Sequence, residues 1–93
     1  MKHYLGETIR ITVEVKDNDD IPTDPSSITI SIYDPDNTAK VSDADMTKES
    51  VGEYYYDYAI GETEKTGIWK AIVEAAIGTS TTKDIILFMV EST

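Results

Sequence analysis

The sequence predicts an all-β domain of two packed antiparallel sheets, on three observations. Tyr54-Tyr55-Tyr56-Asp57-Tyr58-Ala59-Ile60 and Gly67-Ile68-Trp69-Lys70-Ala71-Ile72-Val73-Glu74-Ala75 both alternate with period two, across a short acidic, Gly-containing turn. Such alternation sends one row of side chains into a core and the other to solvent. The inward rows are Tyr54, Tyr56, Tyr58, Ile60 and Trp69, Ala71, Val73, Ala75. Short β-rich runs punctuated by turn signals recur along the whole chain. No stretch sustains a 3.6-residue period, and no internal repeat is present.

The elements follow in order. Residues 2–5 suit a short edge strand that Gly6 ends. Residues 7–16 alternate, with Ile9, Ile11, Val13 and Val15 inward and Thr8, Arg10, Thr12, Glu14 and Lys16 outward, the signature of a half-buried antiparallel strand. Asp17 to Ser26 is a loop rich in Asp and Pro, since Asx side chains bond their own backbone and Pro fixes φ. Residues 27–33 form the next strand, with Ile28, Ile30 and Ile32 inward. Asp34-Pro35-Asp36-Asn37 is a tight turn. Residues 38–50 carry the weakest pattern: Ala39 and Val41 suggest one short strand, and Met46 a core contact. Residues 52–60, 67–77 and 80–91 complete a count of seven strands.

Size and charge bound the function. With 93 residues the chain predicts one domain, 1–93, with a modest core and no spare chain for a deep cleft. Hydrophobic content of 40% suits a folded domain. The balance of 18 acidic to 8 basic residues gives a net charge of −10, which disfavours nucleic acid and anionic membrane surfaces. The same acidity keeps a β-rich domain soluble. With no cysteine, the core is held without disulfides, and thiol catalysis and Cys-based zinc sites are excluded. The longest apolar run, Ile85 to Val90, is far shorter than the ~20 residues that span a bilayer, so membrane insertion is not expected.

The order of motifs carries a resemblance. Gly6-Glu7-Thr8-Ile9-Arg10-Ile11-Thr12-Val13 opens the chain, and an Asp-rich turn with Asp24-Pro25 follows. Then come Ile28-Thr29-Ile30-Ser31-Ile32-Tyr33-Asp34-Pro35, Gly52-Glu53-Tyr54-Tyr55-Tyr56, Gly67-Ile68-Trp69 and Phe88-Met89-Val90. This resembles prokaryotic immunoglobulin-like domains of surface proteins and phage particles, and is similar to the second macroglobulin-type domain of the α2-macroglobulin family. The resemblance implies a seven-stranded immunoglobulin-like antiparallel β-sandwich. It places residues 7–16 and 52–60 in one sheet and 27–33, 67–77 and 80–91 in the other, with Trp69 between them. It also implies a setting on a cell surface, as part of a longer secreted chain, or in a phage particle. Asn37 stands where such domains have Gly, and Asn tolerates the left-handed backbone that this turn needs.

Catalysis is not expected. His3, the single histidine, sits near a terminus, and a triad needs its histidine held rigidly. Among cations, calcium is the candidate: Asp17, Asp19, Asp20 and Asp24 crowd one loop, and hard cations take loop carboxylates and carbonyls. The loop is not an EF-hand, because Pro22 occupies the Gly position and Ile28 the final Glu position. The ordinary reading of the same residues is turn chemistry without a ligand. Of the clustered tyrosines only Tyr55 points outward, toward Arg10 or Thr12, which argues against a carbohydrate platform.

If Ile86, Phe88 and Val90 face the core, then Ile85, Leu87 and Met89 face out. Ile68 and Ile72 on the adjacent strand, and Tyr33 on the next, extend the row. A contiguous apolar patch marks an interface, whereas scattered apolar residues do not. A covering loop or N-terminal segment would remove it. The expected function is a non-catalytic module for assembly or spacing through a protein partner or self-association. The alternative is a calcium-dependent ligand- or glycan-binding module.

Overall fold

The computed structural model describes residues 2–92. Their period-two patterning becomes eight strands: β1 (Lys2–Tyr4), β2 (Thr8–Glu14), β3 (Ser27–Tyr33), β4 (Ala39–Asp45), β5 (Thr47–Ser50), β6 (Glu53–Ala59), β7 (Gly67–Ile77) and β8 (Ser80–Glu91). One sheet has the order β1-β8-β7-β3-β4 and the other β2-β6-β5. The partition expected from the sequence holds. Every pairing is antiparallel except β1 with β8, which is parallel.

The eighth strand comes from residues 38–50, where the sequence predicts one. Met46 is buried, and its amide donates to the Ile28 carbonyl at 3.2 Å. Before Met46 the chain pairs with β3, and after it with β6. The segment therefore starts at the edge of one sheet and ends at the edge of the other, with Met46 as the pivot.

The β7–β8 hairpin runs through eleven unbroken pairs, from Gly67↔Val90 to Ile77↔Ser80. It closes on Gly78-Thr79, with Gly78 at φ 61°, the left-handed backbone that tight hairpin turns require. Trp69 packs between the sheets with no exposed surface, its ring centroid 6.0 Å from Phe88 and 5.9 Å from Tyr58. Its indole N–H, which needs a partner when buried, donates to the Lys65 carbonyl at 2.9 Å. Ile30, Ile32, Ala71 and Val90 are equally enclosed. The inward rows of β2 and β6 are less complete than expected: Val13, Tyr56 and Tyr58 are half-buried. The sheet they belong to has only three strands, so it covers its own rim poorly.

Two turns lie at one end of the sandwich, and the first of them joins the sheets. The Leu5 amide donates to the Glu91 carbonyl and the Gly6 amide to the Ile60 carbonyl, both at 2.9 Å, as the chain passes from β1 to β2. Asn37 adopts φ 65°, as its turn requires, and Asp34 Oδ1 accepts from the Asp36 and Thr38 amides at 2.9 Å. At the other end Gly52, at φ 74°, is locked in place. A Cβ there would lie 2.7 Å from the Val15 carbonyl oxygen and 2.9 Å from Pro22 Cβ.

Candidate interaction surface

Register on β7 and β8 builds the surface. Opposed residues share a face, so Ile68↔Met89, Lys70↔Leu87, Ile72↔Ile85 and Glu74↔Lys83 form one outward ladder. On the far side of β7, Tyr33 lies opposite Lys70 and Ser31 opposite Ile72. Ile68, Ile85 and Leu87 are 50–60% exposed and Met89 is 36% exposed. Ile72 and Tyr33 are half-buried. The structure thus brings the six sequence-selected residues into one neighbourhood. Tyr33 joins through Lys70, whose ammonium lies 5.3 Å from the ring centroid, a cation–π contact. Ion pairs frame the row: Lys83 with Glu74 at 3.3 Å and Lys2 with Glu91 at 3.3 Å. β1 lies beside β8 at the sheet edge, so it does not cover this face.

The outer face of the three-stranded sheet is different in kind. Arg10 makes two hydrogen bonds to Asp57, at 2.8 and 3.0 Å, and stacks 4.0 Å from the Tyr55 ring centroid. The hydrogen bond from Arg10 holds the Asp57 carboxyl below its usual range. Tyr55 points outward as the alternation predicts and is occupied by this packing.

The acidic loop follows turn chemistry. Asp17 Oδ1 accepts from the Asp19 amide at 2.8 Å and the Ile21 amide at 3.1 Å. Asp20 takes φ 65°, and Lys16 Nζ approaches its carboxylate to 3.7 Å. Asp24 faces elsewhere: it accepts from Lys48 Nζ at 2.6 Å, the Gly52 amide at 3.0 Å and the Tyr54 hydroxyl at 3.3 Å. The Lys48 hydrogen bond, then the Gly52 amide, hold its carboxyl below the usual range. Burial, with the Asp24 charge beside it, pushes the Tyr54 hydroxyl up. Among the described residues no three His, Cys, Asp or Glu side chains gather where they could hold a metal ion, so Asp17, Asp19, Asp20 and Asp24 do not converge.

At the opposite end Asp36 pairs with Lys65 at 2.7 Å and Glu64 with Lys40 at 3.4 Å. His3 lies edge-on to Phe88, with ring centroids 6.1 Å apart, and its Nδ1 is 3.9 Å from Glu7. Among the described residues no helix is long and apolar enough to cross a membrane.

No protein-family model matches the chain, and no curated protein matches it in sequence. Solved structures do match. The fold is immunoglobulin-like. It superposes on the Lin-41 filamin domain with a TM-score of 0.66 at 15% identity, covering 97% of this chain and 82% of that one. It also superposes on part of the endo-β-1,4-mannanase from Thermotoga petrophila, with a TM-score of 0.68 at 15% identity. That match covers 99% of this chain but spans only 18% of the mannanase. At this identity both likenesses concern the fold.

Proposed function

We propose that the chain is a non-catalytic interaction module that docks through the outer face of β7 and β8. The exposed row Ile68, Ile85, Leu87 and Met89 is the observation that carries this reading. Apolar side chains at the centre of a polar frame supply binding energy, and the frame excludes water. The occupant proposed is a second copy, packed sheet face on sheet face. Each copy offers the same apolar row on a regular strand pair, and such rows interdigitate when two sheets stack. Resemblance to prokaryotic surface and phage-particle domains supports a setting in such an assembly.

Light scattering coupled to size-exclusion chromatography, at millimolar protein with calcium and with chelator, tests it. A dimer in both buffers that Leu87→Asp converts to a folded monomer is the expected result. A wild type that stays monomeric overturns self-docking. A dimer seen only with calcium moves the function to the acidic loop.

A further inference from the structure

The outward ladder of β7 and β8 has an order that limits how a second copy can sit on it. From Gly67 toward the Gly78-Thr79 turn, its rows are Ile68 with Met89, Lys70 with Leu87, Ile72 with Ile85, and Glu74 with Lys83. Ala76 with Thr81 follows, and these small side chains end the apolar stretch. Along its length the ladder is therefore asymmetric, with a fully charged row toward one end. Across its width it is complementary: apolar meets apolar in two rows, and acid meets base in the fourth.

Lys70 is the constraint. It is half-buried beside Leu87, and its ammonium sits on the Tyr33 ring. Among the described residues no carboxylate lies within ion-pair distance of it. Two identical sheet faces stack about a two-fold axis that lies in the plane between them. An axis across the strands turns the partner's ladder end for end. Centred on the Lys70 row, it sets Lys70 on the partner's Lys70, two cations pressed together inside an apolar patch. Centred on the Ile72 row, it brings Lys70 to the partner's Glu74. It then sets Leu87 on the partner's Lys83, and Ile68 and Met89 on the partner's Ala76 and Thr81, which wastes the largest exposed apolar side chains.

An axis along the strands, between β7 and β8, has neither fault. Ile68 meets the partner's Met89, and Ile72 meets the partner's Ile85. Leu87 lies under the aliphatic stem of the partner's Lys70, whose ammonium reaches outward. Glu74 meets the partner's Lys83. Stacked sheets cross at about 30°, which keeps the central rows superposed and offsets the charged row, where Glu and Lys have the length to span the offset. The charge of the face agrees. A chain of net charge −10 repels its own copy over most of its surface, whereas the ladder and its frame carry Lys2, Lys70 and Lys83 against Glu74 and Glu91.

We infer that two copies pack with their strands running in the same direction, about an axis along β7 and β8, and that the Glu74–Lys83 row fixes this orientation. The inference rests on the docking face proposed above and adds to it how the partner is turned. Across the axis the two Glu74 and two Lys83 form one alternating group of four charges, so complementarity sets the register while the apolar rows supply affinity. Such a pair closes on itself and leaves no like face for a third copy. Its two Gly78-Thr79 turns stand side by side.

The chain has no cysteine, so Thr79→Cys places a single nitroxide label at the hairpin tip, away from the ladder. Dipolar electron resonance then reads the tip-to-tip distance in the dimer. A distance below about 25 Å is expected, because the tips are neighbours and the sheets stack ~10 Å apart. An axis across the strands would hold the tips more than about 40 Å apart, at ~3.4 Å of rise per residue. Leu87→Asp in the labelled chain is expected to abolish the short distance. Glu74→Lys lowers the net acidity yet sets lysine on the partner's Lys83, and is expected to weaken the dimer about tenfold in light scattering across a dilution series. Glu74→Lys combined with Lys83→Glu restores acid against base in both copies and is expected to recover the wild-type dimer. A wild-type dimer with the long distance, or a double exchange as weak as the single one, overturns the orientation and leaves the docking face standing. A monomeric wild type, or a short distance that survives Leu87→Asp, overturns both.

Discussion

The two long sides of the sandwich are closed by different means. On one side a single stretch of chain crosses from sheet to sheet, with Met46 buried at the pivot between β4 and β5. On the other, the crossing from β1 to β2 ties only one end, and the rest is a seam between two straight edges. The closed side is irregular in backbone and buries its pivot, Met46. The open side is regular in backbone and incomplete in packing. Local regularity and burial are thus set by separate requirements: a strand pairs well without being covered, and a covered pivot pairs poorly.

The comparison can be broken at its hinge points. Trp69→Ala removes the side chain that both halves of the core share, and is expected to cost about 3–5 kcal/mol in urea unfolding. Met46→Ala is expected to cost roughly 2–3 kcal/mol, whereas Ile86→Ala at the open seam costs under about 1 kcal/mol, since a half-buried site loses less and solvent already reaches it. Equal costs at these two positions would show that the seam is covered. Gly52→Ala forces an L side chain into left-handed backbone against the Val15 carbonyl, and is expected to cost about 1–3 kcal/mol.

The smallest effect is a pH dependence on the closed side. The folded state lowers the Asp24 pKa from 3.8, so this group's stabilisation is present above that value and is lost as pH falls through the folded pKa. Hydrogen exchange of β5 and Gly52 is therefore expected to quicken in acid below the ordinary carboxylate range. Asp24→Asn should flatten that acid dependence. An Asn variant with an unchanged acid limb would show that Asp57 or another carboxylate carries it.

Much of the fold was legible in residues that alternate. β2, β3, β7 and β8 each announce an inward row, and Trp69 and the outward Tyr55 fall where their positions predict. β4 and β5 were not separable, because β5 is exposed at all four positions and has no inward row to read. The switch at Met46 depends on both sheets at once. Tyr56 and Tyr58 showed the correct side of the strand but not the narrowness of their own three-stranded sheet. The acidic loop displays its composition openly, yet the distant partners of Asp24, at Lys48, Gly52 and Tyr54, leave no local trace. The outward apolar row was visible from parity; that β1 lies beside it and not over it needed the topology.

The parallel pairing of β1 with the end of β8 has a mechanical consequence. Tension applied at Lys2 and at Glu91 pulls these strands in opposite directions along their length. The bonds at Lys2↔Met89, His3↔Val90 and Tyr4↔Glu91 are then loaded in shear, together. Peeling, which breaks bonds singly, would require the load to be applied across the strands. Under a stretching force this short patch must yield before the hairpin behind it carries load, so three residues set the threshold at which the domain begins to lengthen.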